Sequence, residues 1–181
     1  SVNRTQYNAT GLRYIGRKPR ELLVEVLAFV LMPNHYHLFL RPKFSDGITK
    51  FLKRLNQGYS KYFNIKYERN GTLFQDRYKL IPVIEEAHFL HLPYYIHLNP
   101  LDLYMPEWRT RKIKSSLQAM GFLENYRWSS FLDYTGTRNF PSVTQRDFLL
   151  SFFKNSESLK IDTLEWLGNL EWESFKELNL E

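Results

Sequence analysis

The sequence predicts an α+β fold, an antiparallel sheet with helices packed on one side. Two observations predict it. Residues 21–41 contain two apolar runs separated by Pro33-Asn34, the pattern of a hairpin. Ile48, Phe51, Leu52, Leu55, Tyr59, Tyr62 and Phe63 then recur at helical spacing, so residues 48–64 should form an amphipathic helix. With 181 residues and 43% hydrophobic content the chain can bury one sizeable core.

The remaining elements follow in order. Residues 1–5 fit the end of a strand. Residues 6–20 hold Gly11, Gly16 and Pro19 among basic residues and read as a loop. Residues 21–31, rich in Leu and Val, lead into the turn at Pro33-Asn34, and residues 35–41 return as the second strand; one long edge strand containing the proline is the alternative. Asn70-Gly71 is a turn signal. Residues 78–84 fit a further strand that Pro82 confines to an edge. Residues 85–98 read as a helix stopped by Pro100, and residues 105–115 as a basic loop. A short helix fits residues 125–134. Residues 144–154 and 159–180 read as helical appendages, the last with Leu164, Leu167, Trp172 and Phe175 available for packing.

The chain has no cysteine, which excludes disulfides, thiolate zinc sites and cysteine nucleophiles. No apolar run is long enough to cross a bilayer, and Ser1-Val2-Asn3-Arg4 lacks a signal-peptide pattern, so a cytoplasmic protein is expected. Net charge is +6, unevenly spread. Residues 155–181 carry seven acidic residues against Lys160 and Lys176, leaving 23 basic and 12 acidic residues, a net of +11, in residues 1–154. A basic body with an acidic tail favours a polyanionic partner such as nucleic acid. Aromatic residues reach 17%, enough for a core and for rings that stack on bases.

His35-Tyr36-His37 is the first candidate site. In a strand, side chains alternate, so the two imidazoles share a face and Tyr36 points away from it. Such a pair can hold one divalent metal, and equally fits one core and one surface histidine. The second candidate is Tyr95 with Asn99. If Pro93 occupies the first turn of a helical stretch, these two lie four apart on one face. Tyrosine needs a nearby cation or base to act as a nucleophile at neutral pH. A metal on the two histidines would polarise a phosphate, with the Asn99 oxygen completing the ligand set; Mg²⁺ and Mn²⁺ suit such mixed donors. The plainer reading makes Tyr94 and Tyr95 packing residues and Asn99 a helix end.

Four motifs in order carry a family resemblance. They are Leu31-Met32-Pro33-Asn34-His35-Tyr36-His37-Leu38, Gly71-Thr72-Leu73-Phe74-Gln75-Asp76-Arg77-Tyr78-Lys79, Tyr95-Ile96-His97-Leu98-Asn99-Pro100, and Tyr126-Arg127-Trp128-Ser129-Ser130-Phe131 with Tyr134 and Gly136. Over residues 22–136 the chain resembles the single-tyrosine HUH transposases, in particular their REP-associated branch. The resemblance implies a ferredoxin-like palm over residues 1–136, with residues 137–181 a helical extension packed on it. It implies that His35, His37 and Asn99 bind a catalytic Mg²⁺ or Mn²⁺. Tyr95 would attack single-stranded DNA beside a hairpin, leaving a 5′-phosphotyrosine link and a free 3′-hydroxyl. The basic residues Lys50, Lys53, Arg54 and Lys61, with Arg69, Arg77, Lys79, Arg109, Arg111, Lys112 and Lys114, would hold phosphates. A bacterial protein is implied, as monomer or homodimer, with Tyr95 acting in cis or in trans. A domesticated hairpin-binding protein without turnover and a metallohydrolase with a structural Tyr95 are the alternatives. Tyr94 stands where many relatives carry a basic residue, and residues 6–20 are shorter than the helix-bearing excursion usual at that point.

Overall fold

The structure, a computed structural model, describes residues 6–7, 13–14, 21–110, 113–153 and 156–169. Its centre is the expected hairpin. Strands β3 (Val24–Leu31) and β4 (Tyr36–Pro42) pair antiparallel, with Val30 opposite His37 and Leu31 opposite Tyr36. A bulge between Val26 and Ala28 shifts the register. The turn closes where Met32 N–H donates to the His35 carbonyl at 2.8 Å, placing Pro33 and Asn34 at its tip. Proline suits that position because its φ is preset and no N–H is wanted there.

Residues 6–20 are more than a loop: β1 (Gln6–Tyr7) and β2 (Arg13–Tyr14) form a separate two-residue antiparallel ladder. The strand end expected at residues 1–5 lies outside the described residues. The outer edge of β3 is covered by irregular chain. Leu31 N–H donates to the Trp128 carbonyl (2.8 Å), Ser130 N–H to Phe29 (3.0 Å) and Gln145 N–H to Val26 (2.8 Å), with single bridges at Ser129 and Thr144. These bonds satisfy backbone groups that a third strand would otherwise have to pair.

Residues 78–84 do not form the predicted strand. They run without a ladder, and Ile84 is 88% exposed. Pro82 contributes no N–H, and an exposed segment has no buried face to reward pairing.

Helices lie on both faces of the hairpin rather than on one. The Tyr36 hydroxyl donates to Asn56 of α1 (Gly47–Lys66) at 2.6 Å. The adjacent His37 meets Tyr95 of α2 (Glu86–Leu98). Neighbouring strand residues point to opposite faces, so α1 and α2 sandwich the hairpin. Gly47 lets α1 begin against the chain entering β3: a Cβ there would stand 2.3 Å from the Leu23 carbonyl oxygen. A 20-residue helix is about 30 Å long, and only the N-terminal half of α1 has the hairpin beneath it. Leu52 is buried, while Tyr59, Tyr62 and Ile65 stay exposed.

Helix α2 is a core helix. Leu92 to Leu98 are all buried, the pattern of an element packed on every side. Pro93 sits inside it rather than in its first turn. Pro100 does not stop the coil; it enters a 3₁₀ turn, Asn99–Leu103, and a second one follows at Pro106–Thr110 where a loop was expected. Helix α3 (Ser116–Asn125) was not foreseen. The Ser115 hydroxyl caps it, accepting from Gln118 N–H at 3.3 Å, the Ser-x-x-Gln signature of a helix start. The helix expected over residues 125–134 shrinks to α4 (Phe131–Tyr134), which ends near Gly136 at φ +92°. Helices α5 (Arg146–Leu150) and α6 (Ser156–Asn169) follow, and Leu149, Leu159 and Leu167 join the core around Leu27, Val30, Ile96 and Trp108. Residues 170–181 lie outside the described part. Among the described residues no helix is long and apolar enough to cross a membrane.

Candidate active site

The two histidines come together where the turn enters β4: His35, expected to open the strand, stands one residue before it, and His37 is its second residue. The rings of His35 and His37 meet edge-on with centroids 5.0 Å apart. His35 lies at the exposed mouth of the hairpin, where its Nδ1 bonds Asn34 Oδ1 at 2.8 Å. When Nδ1 carries the proton, Nε2 keeps its lone pair for a metal, and an oriented histidine of this kind is what a metal site needs. His37 lies deeper. Burial first, then the charges of His35 and Arg109, hold its pKa down at about 4, so it is an uncharged imidazole at neutral pH.

Helix α2 delivers Tyr95 to the same place. Its ring lies edge-on to His37 with centroids 5.9 Å apart. One chain therefore assembles the histidine pair and the tyrosine. Tyr95 is 4% exposed, whereas His35 is open to solvent, so the site deepens from His35 through His37 to Tyr95.

Asn99, one turn after Tyr95, is fully buried. Its Nδ2 donates to the Tyr95 carbonyl at 2.7 Å, and its Oδ1 accepts from Arg109 Nη2 at 3.1 Å. A carboxamide oxygen has two lone pairs, so this contact leaves one for a metal. Among the described residues no cluster of three or more His, Cys, Asp or Glu side chains stands ready for a metal. The donor set is two imidazoles and an amide oxygen, which fits a divalent ion that also takes water and phosphate oxygens.

Arg109, expected to hold phosphate, is engaged by the protein's own groups. Its Nε and Nη2 donate to the Asp102 carboxylate at 2.8 and 2.7 Å, and the guanidinium lies 5.5 Å from the Tyr95 ring centre. Burial works against its charge, but hydrogen bonds to Asp102 and to the Tyr95 phenol outweigh it and raise its pKa. Asp102 also accepts from Trp108 Nε1 at 2.6 Å. Sequence reasoning missed Asp102 and the supporting role of Asn34.

Two other motif residues turn out to hold the scaffold. His97 Nε2 bonds Ser130 Oγ at 2.8 Å in the core, where burial lowers its pKa to about 3. Tyr94 stacks on Trp166 of α6, with centroids 5.7 Å apart and planes 8° from parallel, and its hydroxyl reaches Asp162. The position is therefore a packing contact and not a phosphate contact.

The other basic residues are dispersed. Lys53, Arg54, Lys61, Arg69, Arg77, Lys79 and Lys114 are exposed, and Lys50 pairs with Asp46 at 2.5 Å. Arg111 and Lys112 lie outside the described residues. The far end of α1 adds a feature not foreseen: Lys66 stands over the Tyr62 and Tyr67 rings, and Arg69 over Phe63.

Comparison with known proteins adds a family. The family described as "Transposase IS200 like" matches residues 5–99, just over half the chain and inclusive of His35, His37, Tyr95 and Asn99. No curated protein and no solved structure matches.

Proposed function

We propose that this chain, which belongs to the IS200-like transposase family, cuts and rejoins single-stranded DNA through Tyr95. The observation that carries the proposal is the meeting of His37 and Tyr95, 5.9 Å between ring centres, with His35 a further 5.0 Å from His37. The reading includes the single-tyrosine HUH mechanism and a ferredoxin-like palm of which the β3–β4 hairpin is the centre.

The residues divide the work as follows. His35, His37 and Asn99 would hold a Mg²⁺ or Mn²⁺ ion, which when bound supplies charge to polarise the scissile phosphate. Tyr95 Oη bonds to phosphorus while the bond from phosphorus to the 3′ oxygen breaks. The phenol proton passes to solvent and the departing 3′ oxygen takes one up. The result is a 5′-phosphotyrosine and a free 3′-hydroxyl. Rejoining is the reverse attack by a 3′-hydroxyl, so no nucleotide is consumed. Lys53, Arg54, Lys61, Arg69, Arg77 and Lys79 hold the backbone of the strand.

Labelled single-stranded hairpin DNA incubated with the protein and Mn²⁺, then run on a denaturing gel, tests this. A covalent adduct that vanishes in Tyr95→Phe is expected. Cleavage that persists in Tyr95→Phe would refute the tyrosine mechanism. The burial of Tyr95 favours a second reading, a hairpin-binding protein without turnover; binding with no cleavage by the wild type would establish it.

A further inference from the structure

The clasp formed by Asp102, Trp108 and Arg109 sits directly behind the site, and the general need for phosphate contacts does not explain it. Arg109 spends Nε and Nη2 on Asp102, which Trp108 Nε1 also grips. A guanidinium used simply to catch DNA would keep its donors facing solvent. Here the fork is anchored from behind, and its remaining reach is toward Asn99 and Tyr95.

The contacts of Asn99 show what the anchoring does. A carboxamide can sit either way round, and only one way presents oxygen as a ligand. Nδ2 donates to the Tyr95 carbonyl and Oδ1 accepts from Arg109. Flipping the amide would set oxygen against the carbonyl and NH₂ against the guanidinium. Two contacts therefore specify one orientation, and Arg109 supplies the one on the oxygen. The same guanidinium lies 5.5 Å from the Tyr95 ring centre, and the Tyr95 ring meets His37, so Arg109 touches both Asn99 and the tyrosine beside the histidines.

We propose that Arg109, anchored by Asp102 and Trp108, is a positioning residue that holds the Asn99 carboxamide with its oxygen toward the metal site and steadies the Tyr95 phenol beside it. The proposal rests on the metal reading above. It makes a prediction of sign. A positive charge near a cation site should, by Coulomb repulsion alone, weaken metal binding. A group that orients a ligand strengthens it, typically by tenfold to a hundredfold. The two roles pull in opposite directions.

Mn²⁺ titration of the DNA-free protein, followed by the electron-spin signal of free Mn²⁺, separates them without any catalytic readout. His35→Ala should abolish binding, which tests the metal reading itself. Arg109→Met should weaken Mn²⁺ by about tenfold or more, and Asp102→Asn should act in the same direction while leaving Arg109 in place. Asn99→Ala should lose as much as Arg109→Met, and the double variant no more than either, because Arg109 acts through Asn99. Arg109→Lys, with one donor and no fork, should fall between wild type and Arg109→Met. Unchanged or tighter Mn²⁺ binding by folded Arg109→Met or Asp102→Asn would overturn the positioning role while leaving the histidine site intact. Additive losses would overturn it as well. A wild-type protein that takes up no Mn²⁺ would overturn both readings.

Discussion

Ser130 offers the sharpest test of how the core places helix α2. Its hydroxyl accepts from the outward-facing Phe29 N–H of β3 at 2.9 Å and bonds His97 Nε2 of α2 at 2.8 Å. The Phe29 carbonyl has a second donor in Ser130 N–H, so the side chain is not essential to it. Ser130→Ala therefore leaves two groups without partners, one backbone N–H and one imidazole nitrogen, at a position fully closed to solvent. Each buried unsatisfied group costs about 1–3 kcal/mol. A combined loss of about 3 kcal/mol follows, which for a chain of this size lowers Tm by roughly 6–12 °C. Thermal unfolding followed by circular dichroism, with urea midpoints alongside, measures it. Ser151→Ala, which removes an exposed hydroxyl bonded to the Phe148 carbonyl, serves as the control and should stay within about 0.5 kcal/mol. A Ser130→Ala loss below about 1 kcal/mol would refute the idea that this hydroxyl pins α2 to β3.

Other perturbations probe the site and its supports. Asn34→Ala removes the partner of His35 Nδ1 and should weaken Mn²⁺ binding by about tenfold, read by the same titration; unchanged affinity would show that the exposed imidazole needs no orienting. Lys53→Ala with Arg54→Ala should weaken binding to unrelated single strands alike and flatten the salt dependence by roughly one to two counterions; a loss confined to one sequence would mean base readout instead. Gly47→Ala forces a methyl against the Leu23 carbonyl and should cost about 2 kcal/mol in a urea melt, unless the α1 start shifts freely. His97, with a folded pKa of about 3, stays neutral where an unfolded histidine takes up a proton. Its contribution is whole above about pH 6.5 and declines as pH falls toward 3, at about 1.4 kcal/mol per unit. The stability of His97→Gln should therefore vary less steeply between pH 6 and 4 than that of the wild type, and parallel curves would show that His97 titrates normally.

The parts of the site set by local geometry were legible in the sequence. Alternation was expected to put His35 and His37 together, and they do meet although His35 stands just before β4; Tyr36 bonds Asn56 on the far side as alternation requires. Four-residue spacing put Asn99 over the Tyr95 carbonyl even though Pro93 sits mid-helix. The start of α3 was written in Ser115-x-x-Gln118 and could have been read. The contacts that span the chain were not legible. Ser130 lies 33 residues from His97 and 101 from Phe29, and no periodicity relates them. Asp102 and Arg109 meet only because two consecutive 3₁₀ turns fold back on each other. Residues 78–84 show the opposite failure: β-forming residues do not make a strand when no neighbouring edge reaches them.

Burying the proposed nucleophile in the core has a consequence for how activity and stability are linked. A tyrosine on a surface loop could be moved or repositioned without disturbing the fold. Tyr95 instead belongs to α2, whose neighbours Leu92, Ile96, His97 and Leu98 are all in the core. The hairpin that carries the histidines packs against the same helix through His37 and Phe39. A core substitution that tilts α2 therefore changes the distance between Tyr95 and His37 as well as the packing. Positions such as Ser130 and Tyr94, remote from any phosphate, should thus affect strand cleavage as strongly as exposed basic residues affect binding. The exposure gradient adds a direction. With His35 at the mouth and Tyr95 at the base, the proposed reaction would have DNA meet the histidine end first and press inward past His37 for its phosphorus to reach the phenol.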